Sequence, residues 1–278
     1  MSCWLCAGQG IDGCVDAGCT HKGGRMSVAR GSGWELRHGA FADVLAGETW
    51  DTLITDAPYS DRTHAAHDNA VRDTRGLDDS DRRVLEYPTW TTQDVQSFCA
   101  FAVPRTRSWC VSITDHHLAP VWADAFEAQG LYAFSPLAFL HPGSRVRLAG
   151  DGPAQWSVWI VVARPRREPF SKWGALPGGY VMPKGLDESE PKREIGGKPE
   201  WLMRELVKHY SKPGDRICDP CAGWSTTGIA ALREGRTFIG SEIRREAFDK
   251  SVTRLSKPLQ VGLFVPPVKG VQASLLGE

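Results

Sequence analysis

Arg216-Ile217-Cys218-Asp219-Pro220-Cys221-Ala222-Gly223-Trp224-Ser225-Thr226-Thr227-Gly228-Ile229-Ala230 is the stretch that decides the fold. It opens as a short apolar strand, passes through a loop of small residues and runs on into a helix. That order brings a ligand close to the backbone and to a helix N-terminus at the carboxyl edge of a parallel sheet. The loop is neither Gly-x-Gly-x-x-Gly nor a Walker sequence, which disfavours a nucleotide phosphate site. Further on, Phe238-Ile239-Gly240-Ser241-Glu242-Ile243 reads as a second strand whose tip carries a carboxylate. A carboxylate there is placed to accept hydrogen bonds from ribose hydroxyls. Each piece alone is also an ordinary α/β turn; together, at this spacing, they point to a cofactor site.

Outward from this core, short apolar runs alternate with helical stretches, the pattern of an α/β domain with a mostly parallel sheet and helices on both faces. Strands are expected at Trp34 to His38, Leu53 to Asp56, Trp109 to Ile113, Gln155 to Ala163, Arg216 to Asp219 and Thr237 to Ser241. Leu131 to Leu140 reads as extended. Helices are expected at Thr92 to Val103, Leu118 to Gln129, Pro199 to Tyr210, Thr226 to Glu234 and Arg244 to Leu255, with Pro199 in a first turn. Residues 60–90 are polar and aperiodic, a long loop of the kind that usually has a task. Residues 164–197 are rich in Pro, Gly and charge and read as an insertion. The expected organisation is a Cys/Gly-rich segment at 1–33, a catalytic domain at 34–256 and a tail at 257–278.

Bulk properties are those of a soluble globular chain, 41% hydrophobic and 24% charged over 278 residues. Lys+Arg 33 balances Asp+Glu 33, so any nucleic-acid face must be a local patch. Arg145, Arg147, Arg164, Arg166, Arg167 and Lys172 form one candidate, whose plainer reading is a solvated loop. No apolar run approaches the roughly 20 residues that span a bilayer, and no signal peptide opens the chain, so a cytoplasmic protein with reduced thiols is expected. Cys3, Cys6, Cys14, Cys19 and His21 suit a zinc knuckle or a poorly ordered leader, with Met26 an alternative start. No metal is assigned to the site itself.

The chemistry has a second focus. Asp56-Ala57-Pro58-Tyr59 follows a strand directly. Alone it is also a good turn, but it resembles the catalytic Asp-Pro-Pro-Tyr of the amino-methyltransferases that act on DNA, and that resemblance implies the chemistry that follows. An exocyclic base amine is a poor nucleophile, because its lone pair is delocalised into the ring. The Asp56 carboxylate and an adjacent main-chain carbonyl would hold both amine hydrogens, which draws the nitrogen toward tetrahedral geometry and frees its lone pair. Tyr59 would stack on a base flipped out of the duplex.

Both foci together resemble the amino-methyltransferases that act on DNA, over roughly residues 34 to 256. That family opens a helix with Lys-Pro, turns at Ser-x-Pro-Gly-Asp, and carries Asp-Pro-Phe-x-Gly-x-Gly-Thr-Thr before a strand ending Gly-x-Glu. Here these are Lys198-Pro199, Ser211 to Asp215, Asp219 to Thr227, and Gly240-Ser241-Glu242. Asp56 to Tyr59 matches the family's Asp-Pro-Pro-Tyr, with Ala57 for the first proline. The catalytic strand precedes the cofactor loop, an order that resembles the beta class.

The resemblance implies S-adenosylmethionine as cofactor and a Rossmann-like fold. It places Phe41, Lys198, Asp219, Pro220, Ala222, Gly223, Ser225, Thr226 and Glu242 around the cofactor. Asp219 and Gly223 would line the methionine end, Glu242 would hold the ribose, and Phe41 would stand where the class has a polar contact to adenine. Cys221 replaces the usual Phe, and Ser225 replaces the second loop glycine, with less freedom in φ. It also implies double-stranded DNA as partner and, through Asp56, adenine N6 as target. Cytosine N4 enzymes more often carry Ser at that position, and RNA or protein methyltransferases Asn. A non-catalytic cofactor-binding regulator of DNA stays open as a different class. Ser60 to Pro88, with His64, His67, Arg72, Arg75, Arg82 and Arg83, and 164–197 are candidates for reading DNA. So small a recognition region suggests a homodimer.

Overall fold

The computed structural model describes residues 27–63, 88–142, 153, 156–166, 173–186 and 197–257. Among them, strands β1 (Ser27–Gly31), β2 (Trp34–His38) and β3 (Thr52–Thr55) are followed by β4 (Cys110–Thr114), β5 (Leu131–Ala133), β6 (Leu137–Leu140) and β7 (Ser157–Pro165). The last three are β8 (Gly179–Val181), β9 (Arg216–Asp219) and β10 (Thr237–Glu242). Helices are α1 (Phe41–Val44), α2 (Thr92–Ala102), α3 (Ala119–Ala128), α4 (Glu200–Tyr210), α5 (Thr226–Arg233) and α6 (Arg245–Leu255).

One sheet runs β1-β2-β10-β9-β3-β4-β7-β6-β8, with β5 also on β7. Its centre, β2-β10-β9-β3-β4, is parallel. The strand order reverses between β9 and β3, so their carboxyl ends face a crevice of the kind where α/β sheets bind ligands. Asp219 ends β9 and Asp56 follows β3 at that crevice.

These strands are buried on both faces, which is why they read as apolar runs instead of alternating with polar residues. Ile54, Val111, Ile113, Ile217 and Phe238 turn to one core, with Leu202 and Leu206 of α4, Ile229 of α5 and Phe248 of α6. Leu53, Cys110, Cys218 and Ile239 turn to the other, with Phe98 of α2 and Trp122 and Phe126 of α3. Two cores on one sheet make the three-layer α/β architecture expected. Some glycines are set by packing. A Cβ at Gly240 would come within 2.7 Å of Phe238 and 3.0 Å of the Asp219 carbonyl oxygen, across the strand that carries the loop.

Four expectations change. The sheet begins earlier than Trp34, because β1 pairs antiparallel with β2. Leu131 to Leu140 breaks into β5 and β6, both on β7. Pro199 caps α4 from extended backbone (φ −55°, ψ 135°) instead of lying in its first turn. Residues 164–197 are not wholly an insertion: Arg164 and Pro165 close β7, and β8 pairs with β6.

Candidate active site

Three parallel strands deliver the chemistry to one edge. β3 leads into Asp56, β9 ends on Asp219 and β10 ends on Glu242. On the cofactor side the backbone does most of the shaping. After Asp219 the chain turns through Gly223 (φ 50°) and Ser225 (φ 55°), the one non-glycine residue with positive φ among those described. Ser225 stands where the family places glycine, and its conformation explains that choice. A Cβ at Gly223 would meet nothing nearer than the Cys221 carbonyl oxygen at 4.0 Å, so the turn is open above this residue.

Polar bonds then fix the loop. Glu242 accepts from the Gly223 N–H at 2.8 Å and from the Arg244 N–H at 2.8 Å. The Ala222 N–H donates to the Ser241 carbonyl, and the Ser241 hydroxyl to the Pro220 carbonyl. From α6, Ser251 donates to the Gly223 carbonyl, while Arg254 donates to the Trp224 carbonyl and the Thr226 hydroxyl. The Glu242 carboxylate, expected to face ribose, thus also staples the loop to β10.

Asp219 is turned inward. Its carboxylate accepts from the Thr55 hydroxyl at 2.8 Å, the Cys221 N–H at 3.1 Å and the Thr227 hydroxyl at 2.7 Å. Burial pushes its pKa up to about 7, against the pull of the Thr227 and Thr55 hydroxyls. Its side chain ties the cofactor loop to the catalytic strand, so any contact with a methionine end falls to the backbone around it. Phe41 packs inward: its ring lies in the core against Phe98 and Phe101, both at 5.2 Å between centroids. The Gly39 N–H bonds the Glu242 carbonyl at 3.0 Å, so this turn does border the cofactor edge.

On the catalytic side Asp56 carries its own partners. Lys198 donates to Oδ2 at 2.9 Å, and the Tyr59 hydroxyl lies 3.4 Å from Oδ1. The Lys198 ammonium also stands 4.8 Å from the Tyr59 ring centroid. Burial raises the Asp56 pKa, and Lys198 and Tyr59 oppose the rise. Lys198, expected beside the cofactor, is a partner of the Asp56 carboxylate. Ala57 and Tyr59 are buried, and the Trp90 N–H holds the Tyr59 carbonyl at 2.9 Å.

Sequence reasoning missed Asp115, which follows β4 beside this loop. It is buried and accepts from the Ser60 and Thr63 hydroxyls and from backbone N–H groups. Burial alone would raise its pKa; those hydroxyl and backbone donors hold it below the usual carboxylate range. No short motif marks its bonds to Ser60 and Thr63, which lie more than fifty residues away.

Of the proposed basic patch, the two described residues do not lie at this edge. Arg164 and Arg166 flank Tyr132. Because Cys110 pairs with Ala163 and Ile113 with Ile160, they lie toward the opposite end of the sheet, roughly 13 Å or more along the strands from the level of Asp56. Arg145, Arg147, Arg167 and Lys172 lie outside the described residues, as do His64, His67, Arg72, Arg75, Arg82 and Arg83. So do Cys3, Cys6, Cys14, Cys19 and His21. Among the described residues no helix is long and apolar enough to cross a membrane, and no cluster of His, Cys, Asp or Glu could hold a metal ion.

Residues 180–253 match the family model for N6/N4 methyltransferases, described as DNA methylase. The chain is 45% identical over 58 residues to the DNA adenine methyltransferase YhdJ of Escherichia coli (strain K12), covering 21% of this chain and 20% of that protein. Over 145 residues it is 26% identical to the type II methyltransferase M.Cfr9I of Citrobacter freundii, covering 48% of each. The aligned stretches thus span from a fifth to about half of these relatives. In fold it is similar to the M1.HpyAVI–SAM complex, with TM-score 0.55, 18% identity and coverage of 81% of this chain and 100% of that one. It is likewise similar to the cytosine-N4-specific PvuII DNA methyltransferase, with TM-score 0.57, 15% identity and coverage of 82% and 88%. Residues 180–253 therefore belong to the N6-adenine/N4-cytosine DNA methylase family, and the chain around them has the α/β fold of the solved DNA methyltransferases.

Proposed function

We propose that the protein transfers a methyl group from S-adenosylmethionine to an exocyclic amine of a base in duplex DNA, with adenine N6 as the target. The observation that carries this reading is the placement of Asp56 and the Asp219–Ser225 loop on the carboxyl ends of adjacent parallel strands, joined by the Thr55–Asp219 bond. The residues fit the cofactor: the turn is open above Gly223, and Glu242 stands at the tip of the next strand. When bound, S-adenosylmethionine supplies an electrophilic methyl group.

The chain's own groups do the rest. With Oδ2 occupied by Lys198, Oδ1 of Asp56 accepts one amine hydrogen, and the Ala57 carbonyl accepts the other. The nitrogen lone pair is then aimed at the methyl carbon, so alignment and electrostatics supply most of the rate. The surplus proton that methylation would leave on nitrogen would pass to Asp56, whose raised pKa suits it to take that proton. The Lys198 ammonium stands over the Tyr59 ring, and a flipped base stacks on the other face. Two copies gripping one duplex would supply a larger contact than one chain offers.

Incubation with labelled S-adenosylmethionine and duplex DNA, followed by hydrolysis to nucleosides, tests the reading. N6-methyladenine is expected. N4-methylcytosine would move the target, and cofactor binding without transfer would favour a non-catalytic regulator. Asp56→Ala should cut transfer at least about 1,000-fold while cofactor affinity stays the same. Persisting activity would remove Asp56 from the mechanism.

A further inference from the structure

Asp115 is unusual among the carboxylates at the carboxyl edge, because its two oxygens serve two different segments. Oδ1 accepts from the N–H groups of His117 and Leu118, at 3.0 and 2.9 Å, and so shapes the turn into α3. Oδ2 accepts from the Ser60 N–H at 2.8 Å, the Ser60 hydroxyl at 2.5 Å and the Thr63 hydroxyl at 2.7 Å. Ser60 directly follows Tyr59 and Thr63 comes shortly after it, and Asp115, Ser60 and Thr63 are all buried. β4 is the parallel neighbour of β3, with Thr55 opposite Ser112, so Asp115 stands beside the exit of the Asp56–Tyr59 loop.

We infer that Asp115 is a positioning residue of the transfer reaction, which holds the exit of the Asp56–Tyr59 loop so that the carboxylate and the ring meet a flipped base already in place. It touches neither base nor cofactor in this role; it acts through Ser60 and Thr63. The role in transfer rests on the methyltransferase reading, whereas the hold on the loop does not.

Charge and geometry both matter here. A carboxylate offers acceptors on both oxygens, as five donors from two segments require. In Asp115→Asn the amide NH2 must face either the Ser60 N–H or the His117 and Leu118 N–H groups, a donor set against donors in both orientations. A loop displaced by about 1 Å is enough to cost on the order of 100-fold in an aligned reaction.

The test uses Thr63→Ala, Thr63→Ser and Asp115→Asn in the full chain, with hydrogen exchange of the peptide spanning residues 56–63 read beside steady-state methyl transfer. Thr63→Ala and Asp115→Asn should speed exchange of that peptide and lower kcat about 10- to 100-fold, with cofactor Kd within about twofold of the parent. Thr63→Ser keeps the hydroxyl and should restore both readings. Unchanged exchange in Thr63→Ala, or no recovery in Thr63→Ser, would overturn the role of Asp115, and the Thr63 pair decides even where Asp115→Asn does not fold. A parent protein that transfers no label to DNA strikes the methyltransferase reading instead, and the exchange comparison still decides whether Asp115 sets the loop.

Discussion

The cofactor edge and the catalytic edge of the sheet are held in opposite ways. At the cofactor edge the loop from Asp219 to Ser225 is fixed by bonds from β10 and α6, the elements that follow it in the chain. At the catalytic edge Asp56 to Tyr59 is held by groups far away in sequence: Lys198 at the entrance to α4, Asp115 after β4, and the Trp90 N–H. The first is a self-contained strand–loop–helix–strand unit. The second is assembled from four parts of the chain. The lesson is that the two edges should fail separately, one in binding and the other in transfer, although the Thr55–Asp219 bond joins them.

Glu242 offers the largest break between the edges. Its carboxylate takes donors on both oxygens, from Gly223 on one and Arg244 on the other, in a nearly buried position. In Glu242→Gln the amide NH2 must oppose one of those donors, so the loop loses its staple as well as an acceptor for ribose. Cofactor Kd, measured by calorimetry, should rise about 10- to 100-fold, with kcat at saturation changed less than about threefold. Equal falls in binding and turnover would show that the edges are not separable.

The same contrast explains what could be read before the structure. The strand ends at Asp219 and Glu242 and the turn between them were readable because they answer to local demands: two strand tips and a loop of small residues whose backbone turns through positive φ at Gly223 and Ser225. The central strands were readable as apolar runs because both faces are buried. β8, three residues long within a Pro/Gly-rich stretch, lacks the length to show a period, and its place comes from pairing with β6. Lys198 appeared in a motif, but spacing alone could not show that its ammonium meets Asp56 across the crevice. Asp115 carried no local signal, because its donors at Ser60 and Thr63 sit on another strand's loop. The packing of Phe41 was not legible, because its neighbours in space, Phe98 and Phe101, are distant in sequence.

Lys198 sharpens the catalytic side of the comparison. Burial raises the Asp56 pKa and Lys198 lowers it, so removing the ammonium should raise it further. Transfer needs Asp56 ionised to accept the amine hydrogen, so the acid limb of the rate profile should move to higher pH in Lys198→Met. The loss in kcat should be largest on the acid side and should close as pH rises, whereas Lys198→Arg should keep the parent profile. A uniform loss at every pH, or a profile moved to lower pH, would assign Lys198 a different role.

The smallest effect belongs to the cofactor side and runs toward stability. Ser225 holds φ 55° where L side chains crowd the following carbonyl, at a cost of about 1–2 kcal/mol. Its hydroxyl is fully buried without a partner among the described residues. Ser225→Gly removes both costs but adds freedom to the unfolded chain, which takes back about 0.4–1 kcal/mol. The balance favours the variant by about 1 kcal/mol, a rise in Tm of about 2–4 °C for a chain of this size. Ser225→Ala separates the two contributions, because it removes the hydroxyl and keeps the strained φ; it should gain less than glycine. An alanine variant as stable as the glycine one would trace the cost to the orphaned hydroxyl and not to the backbone, and the family's glycine would then reflect close approach of a ligand more than conformational freedom.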